Sequence, residues 1–219
     1  IADYLIKPVN PNQILLVLKK LFESDQIIGE ATLSGYREAF ASIAQRLNGP
    51  LDYNEWLALY KELVRWSLQI DSYSPDLKEL FRMQLRDAEQ LFARFVTANY
   101  GTWSRQTDQL PTLSCDLLKK YLFPLLDEDE KVFLIVIDNF RYDQWLSVKD
   151  LVTDRFALEE NLYMSLLPTA TQYARNALFV GLMPAEIAKL YPSLWVEEHI
   201  DGGKNDHEEE LLLMLLERN

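Results

Sequence analysis

Six consecutive apolar residues, Val132 to Ile137, stand immediately before Asp138. A run with no polar alternation has to be covered on both faces, as a strand inside a parallel sheet is. It is far too short for a bilayer, which takes roughly 20 apolar residues, so no membrane span is expected. The pattern around it is that of an α/β domain. A short helix over Leu117 to Leu126 leads through the acidic turn Asp127 to Glu130 into the strand. Helical spacing follows from Arg141 to Arg155, a mixed or extended stretch from Phe156 to Leu167, and helices over Thr171 to Leu182 and Glu208 to Arg218. Alternating strands and helices are the opening of an α/β fold.

Upstream the period is helical throughout. Leu33, Tyr36, Phe40, Ile43, Ala44 and Leu47 form one stripe, closed by Asn48-Gly49-Pro50. Asp52-x-x-Glu55 is a capping box that starts a second helix, with Tyr53, Trp56, Leu57, Tyr60, Leu63, Val64 and Leu68 at helical spacing. Ser74-Pro75 starts a third, which carries Leu77, Leu80, Phe81, Leu85, Ala88, Phe92, Phe95 and Val96. Short connections between long helices predict an antiparallel three-helix bundle over residues 23–110. The first residues are different again. Ala2 to Val9 reads as a short strand ending at Lys7-Pro8, and Asn10-Pro11-Asn12-Gln13 as the start of a helix that runs to Phe22. A lone strand satisfies none of its backbone groups, and the chain begins at Ile1, so this reads as a central piece of a longer protein.

Charge and composition exclude several functions. The 219 residues carry a net charge of -12, which disfavours nonspecific attraction to a phosphate backbone. The span from Glu23 to Leu110 holds 13 acidic against 9 basic residues, so a basic DNA-recognition helix is not expected there. Cys115 is the single cysteine, which excludes an internal disulfide and points to a reducing, cytoplasmic compartment. Only His199 and His207 are present, too few for a histidine-rich metal site. Beside Asp201 and Asp206 they read first as solvated residues around the Gly202-Gly203 turn.

Two residues stand where α/β enzymes keep their chemistry. Asp138 ends the apolar run, at the sheet edge where open α/β folds bind ligands; it suits a metal ligand, a base or a helix cap. Thr171 lies in Pro168-Thr169-Ala170-Thr171, a loop-to-helix junction. Its hydroxyl suits an N-cap, and the same helix end offers free amides and a positive dipole to a phosphate. Arg141, Arg175 and Asn176 are candidate donors to phosphate oxygens.

These motifs in order resemble a known family. Asp138-x-x-Arg141-Tyr142-Asp143, then Pro168-Thr169-Ala170-Thr171 and Gly181-Leu182-Met183-Pro184, is similar to a PglZ domain of the alkaline phosphatase superfamily. The resemblance implies a pair of zinc ions, with Asp138 as the first-strand metal ligand and Thr171, in preference to Thr169, as the metal-bound nucleophile. The remaining ligands would lie beyond Asn219, so this stretch alone is expected to be inactive. Ala2-Asp3-Tyr4-Leu5-Ile6-Lys7-Pro8 is similar to the last strand of a bacterial receiver domain. That implies a relay role for Lys7, against its plain reading as a strand-end surface lysine. It also implies a phosphorylated aspartate before Ile1, with magnesium beside it.

Receiver end, helical bundle and PglZ start, in that order, resemble the PorX-type response regulators of type IX secretion. The expected architecture is therefore α plus α/β: the strand and helix of a receiver domain at 1–22, a bundle at 23–110, and the N-terminal part of an alkaline-phosphatase-like domain at 111–219. The implied function is a two-component response regulator with a zinc-dependent phosphohydrolase output, acting on phosphodiesters such as nucleotide-derived ones. The implied partners are a sensor histidine kinase, a second copy of the chain, and a transcription or secretion-machinery protein. The rival expectation is a non-catalytic scaffold that dimerises or docks a partner when the receiver is phosphorylated. The apolar face of the helix from Asn10 to Phe22 adds an expectation of self-association or local disorder.

Overall fold

The computed structural model describes residues 34–70, 75–105, 111–128, 130–197 and 199–218. The receiver-like opening with Lys7, the helix start at Asn10, and the positions of Leu33 and Ser74 lie outside the described residues. Contacts gather the chain into two units. The first reaches Arg94 and takes in Arg141–Ser147; the second comprises Phe95–Phe140 and the residues from Val148 onward.

The first unit is built from α1 (residues 34–47), α2 (Tyr53–Ile70) and the first part of α3 (Pro75–Trp103). The capping box forms as the spacing predicts: the Asp52 amide donates to Glu55 Oε2 at 2.7 Å, and the Glu55 amide to Asp52 Oδ1 at 2.9 Å. Pro75 occupies the first position of α3, where its missing N–H costs nothing.

Tyr36 stands at the centre of this core. It is fully buried, with the rings of Phe40, Trp66 and Phe81 set edge-on around it. Its hydroxyl donates to Gln84 Oε1 at 3.0 Å, and Gln84 passes its own amide hydrogen to the Phe40 carbonyl at 3.0 Å. A polar pair thereby closes inside an apolar core, and burial pushes the Tyr36 phenol up to about 12. On α2 the expected stripe holds at Tyr53, Trp56 and Leu63 and departs at Tyr60 and Leu68. Leu59 is fully buried, whereas Tyr60 and Leu68 are 45% and 41% exposed. The buried set 53-56-59-63-70 keeps the helical period, and Tyr60, one residue round, lays its ring on Tyr142 with centroids 5.8 Å apart.

The second unit is organised around α7 (Thr171–Val180). Its remaining elements are a single 3-10 turn at Ser114–Asp116, α4 (Leu117–Tyr121), α5 (Phe123–Asp127), α6 (Tyr142–Thr153, whose first turns belong to the first unit), α8 (Pro184–Leu190) and α9 (Glu208–Arg218). The helix expected over Leu117 to Leu126 is broken at Leu122, because Pro124 near the start of α5 has no amide to continue the ladder. Leu113, Cys115, Leu118, Leu166, Ile187, Leu211 and Leu215 gather on Ala174, Ala177 and Val180.

Gly181 ends α7 with φ +63°. A Cβ there would stand 2.9 Å from Leu215 Cδ1 and 3.3 Å from the Cys115 carbonyl oxygen, so both space and backbone require glycine. Two cations hold the last carbonyls of α7. Lys119 donates to the Gly181 oxygen at 2.8 Å and Arg218 to the Val180 oxygen at 2.6 Å. Positive charge at that end also suits the helix dipole.

One expectation is corrected. Residues 131–137 form no strand, and Phe133 and Ile135 are 91% and 78% exposed. The sole bridge among the described residues is a parallel one between Leu113 and Met164, where the Met164 amide donates to the Thr112 oxygen at 2.9 Å. Hydrophobicity makes a segment eligible for a sheet, but its partners must be brought alongside by separate crossovers. No described segment takes that place, and the described fold is α-rich.

Candidate functional site

The proline-threonine loop enters α7 from Leu166, whose side chain is buried in the core. The Leu166 amide donates to Ser114 Oγ at 3.1 Å. One residue on, the Leu167 amide donates to the Tyr100 hydroxyl oxygen at 2.7 Å, and that hydroxyl returns to the Leu167 carbonyl at 3.4 Å. The Leu167-Pro168 peptide is cis. Pro168, Thr169 and Ala170 are exposed.

Ala170, in extended backbone geometry, is the N-cap of α7 and supplies no side-chain cap. Thr171 is therefore not the capping residue. It is the first helical residue, half-buried, at the end where unpaired amides and the positive dipole end lie.

Arg175 lies one turn further, on the same face as Thr171. Its Nη1 reaches Asp138 Oδ2 at 2.7 Å and its Nη2 the Glu208 carboxylate at 2.8 Å. Asp138, at the end of the apolar run, is thus brought to the first turns of α7. It is 68% exposed, against 27% and 20% for Arg175 and Glu208. Asn176 faces inward: it is 1% exposed, and its amide donates to the Lys204 carbonyl at 3.2 Å.

Arg141 belongs to the first unit. Its Nε and Nη2 fork onto the two Asp143 oxygens at 3.0 and 2.8 Å, and its backbone amide meets Gln144 Oε1 at 2.9 Å. The hydrogen bond from Arg141 holds the Asp143 carboxyl below its usual range. His207 pairs with Glu210 at 2.7 Å in the first turn of α9, and His199 is exposed. Burial, with Asp116 beside it, pushes the Cys115 thiol up to about 12, which makes it a poor nucleophile near neutrality.

Residues 26–104 match the PorX response regulator linker domain, and residues 117–219 match the BREX system PglZ alkaline phosphatase-like domain. The chain carries both. This is the pairing of a PorX-type response regulator with a PglZ output. No curated protein matches the chain. α1, α2 and the whole of α3 fall in the PorX linker match, while residues 141–147 of the first unit, with Asp138, Thr171, Arg175 and Glu208, fall in the PglZ match.

The described PglZ residues do not complete a zinc site. Zinc takes four ligands as a rule, and no three His, Cys, Asp or Glu side chains cluster among the described residues. The two carboxylates brought to Thr171's helix, Asp138 and Glu208, are both held by the Arg175 guanidinium, which repels a second cation. Three contacts escaped the sequence reading. Glu208 looked like an ordinary acidic residue in a first helical turn. Tyr100 and Ser114 carry no local signal, because their partners lie 67 and 52 residues away.

Proposed function

We propose that this chain is the linker and output portion of a cytoplasmic two-component response regulator whose PglZ domain hydrolyses phosphodiesters, with Thr171 as the nucleophile. The observation that supports it most is the place of Thr171. It stands first in a helix with no side-chain cap, with Arg175 one turn away and Asp138 paired to that arginine. Backbone amides at such an end suit the oxygens of a phosphoryl group. In the attacking step Thr171 Oγ bonds to phosphorus as the bond to the leaving alcohol breaks, and the hydroxyl proton leaves with that alcohol. Water then cleaves the threonyl phosphate, returning a proton to Oγ and releasing a phosphomonoester.

Zinc belongs to this proposal as the metal the resemblance implies, and when bound it would supply Lewis-acid activation. Asp138 and Thr171 are its candidate ligands here, and others are needed beside them. A sensor histidine kinase is the proposed phosphate donor, with magnesium at the receiver site that takes the phosphate and Lys7 as relay residue. A second copy of the chain and a transcription or secretion-machinery protein are the proposed partners. Among the described residues no helix is long and apolar enough to cross a membrane.

A second reading, a non-catalytic scaffold, is favoured by the ion pair that occupies Asp138. One experiment separates the two: hydrolysis of a chromogenic phosphodiester by the intact protein, with and without zinc, beside its Thr171→Ala variant. Zinc-dependent turnover that vanishes in Thr171→Ala, with metal content and fold retained, is the expected result. Equal rates in both proteins, or none despite bound zinc, supports the scaffold.

A further inference from the structure

The hydroxyl of Thr171 is located by two supports. On one side α7 is held by the core of the second unit, with Ala174, Ala177 and Val180 buried. On the other, the loop is tied at Leu166 and Leu167, and the three residues between Leu167 and Thr171 are exposed. Leu166 is held by its own buried side chain as well as by Ser114. Leu167 has no such anchor. Its side chain is 43% exposed, and both its amide and its carbonyl meet the Tyr100 hydroxyl.

Tyr100 comes from α3. Within the second unit, the last turns of this helix are stiffened by Phe95 against Trp103, with ring centroids 5.5 Å apart. Asn99 also returns its amide to the Phe95 carbonyl at 2.8 Å. Residue 100 lies inside the match to the PorX linker, whereas Leu167 and Thr171 lie inside the match to the PglZ domain.

We infer that Tyr100 is a positioning residue for Thr171: the linker helix supplies the hydroxyl that sets the height of the proline-threonine loop over the start of α7. This rests on the reading of Thr171 as nucleophile. A tyrosine hydroxyl suits the task because it donates and accepts at once, and so grips both backbone groups of one residue. Releasing it frees the loop at its last tie before the exposed residues. An error of about 1 Å in the place of a reacting group costs on the order of a hundredfold in rate. A shift of the last turns of α3, which lie in the second unit with Leu167, would reach Thr171 through this bond.

Tyr100→Phe in the intact protein tests it, because it removes the hydroxyl and leaves the ring. The chromogenic phosphodiester is the probe. The expected result is a fall in kcat of about tenfold to a hundredfold with KM unchanged. Amide exchange at Leu167 should be faster by at least about tenfold, and the melting temperature should stay within a degree or two. Ser114→Ala is the control for a plain loop support; it should move stability more than kcat. Wild-type kcat in Tyr100→Phe overturns the inference, whatever the exchange at Leu167 shows. Unchanged exchange at Leu167 overturns it as well, whatever the rate does. Absence of turnover in the wild type despite bound zinc overturns the hydrolase reading and this role with it, and the exchange data then show whether the bond itself is real.

Discussion

In the first unit the buried residues come from three helices that each carry a stripe of their own, while in the second they gather on α7 from positions as far apart as Leu113 and Leu215. Tyr36, Ile43, Leu59, Leu63 and Phe81 are each one helical turn or two from another buried residue of the same helix. In the second unit the 3-10 turn, α4, α8 and α9 contribute a few residues each. The contrast shows where stability is concentrated. A core made from long periodic stripes spreads its energy over many similar contacts. A core converging on one short helix depends on a few tight places, Gly181 first among them.

The sharpest way to break the comparison is Gly181→Ala. Left-handed backbone costs about 1–2 kcal/mol for a residue with a Cβ. The forced contact with Leu215 and the Cys115 carbonyl adds about 1–3 kcal/mol. Denaturant unfolding should show a total near 3 kcal/mol, with loss of protection in α7 and α9 and none in α2. Equal loss in both units would mean that they unfold as one.

Tyr36→Phe is the matching lesion in the first unit. It leaves Gln84 Oε1 buried without its donor and should cost about 1–2 kcal/mol. The phenol adds a pH signature with a definite sign. Its folded value, about 12, lies above the ordinary 10, so its contribution is fully present below pH 10 and is lost as the pH rises through 12. Stability of the first unit measured from pH 9 to 12 should fall with a slope that Tyr36→Phe reduces. An unchanged slope would place Tyr36 in contact with water.

A smaller effect is expected at the start of α2. Asp52→Ala removes one half of an exposed capping box and should cost about 1 kcal/mol. The smallest concerns the apolar run. Phe133 is 91% exposed, so Phe133→Ser should change stability by less than about 0.5 kcal/mol. A loss comparable with that of Gly181→Ala would show the run packed against another surface, and would restore the sheet that its composition suggests.

Legibility followed the range of the interactions. The box at Asp52 and Glu55, the proline opening α3 and the span of α9 from Glu208 to Arg218 could all be read directly, since each depends on residues a few positions apart. The inward face of α2 is legible at Tyr53, Trp56 and Leu63 but not at Tyr60 and Leu68, which are exposed. Tyr60 is apolar enough for the stripe, and the bundle chose Leu59. Gln84 carries no local signal, because nothing near it in sequence shows that a tyrosine 48 residues away will pair with it. At the candidate site, Asp138 and Thr171 could be singled out from a run end and a loop-to-helix junction. The arginine that joins Asp138 to the helix of Thr171 could not be foreseen in that role. Neither could Glu208 on the far side of Arg175, nor the hydroxyl of Tyr100 under Leu167.

Periodicity, caps and breakers act over one or two turns, so the chain alone dictates which stretches become helices and where they stop. Pairing is another matter. The run from Val132 to Ile137 has all the hydrophobicity of a buried strand, yet a strand exists only beside a neighbour, and no described segment supplies one. The contacts that place Thr171 span tens of residues, with a geometry that local pattern does not encode. The closure of the whole second unit around α7 decides them.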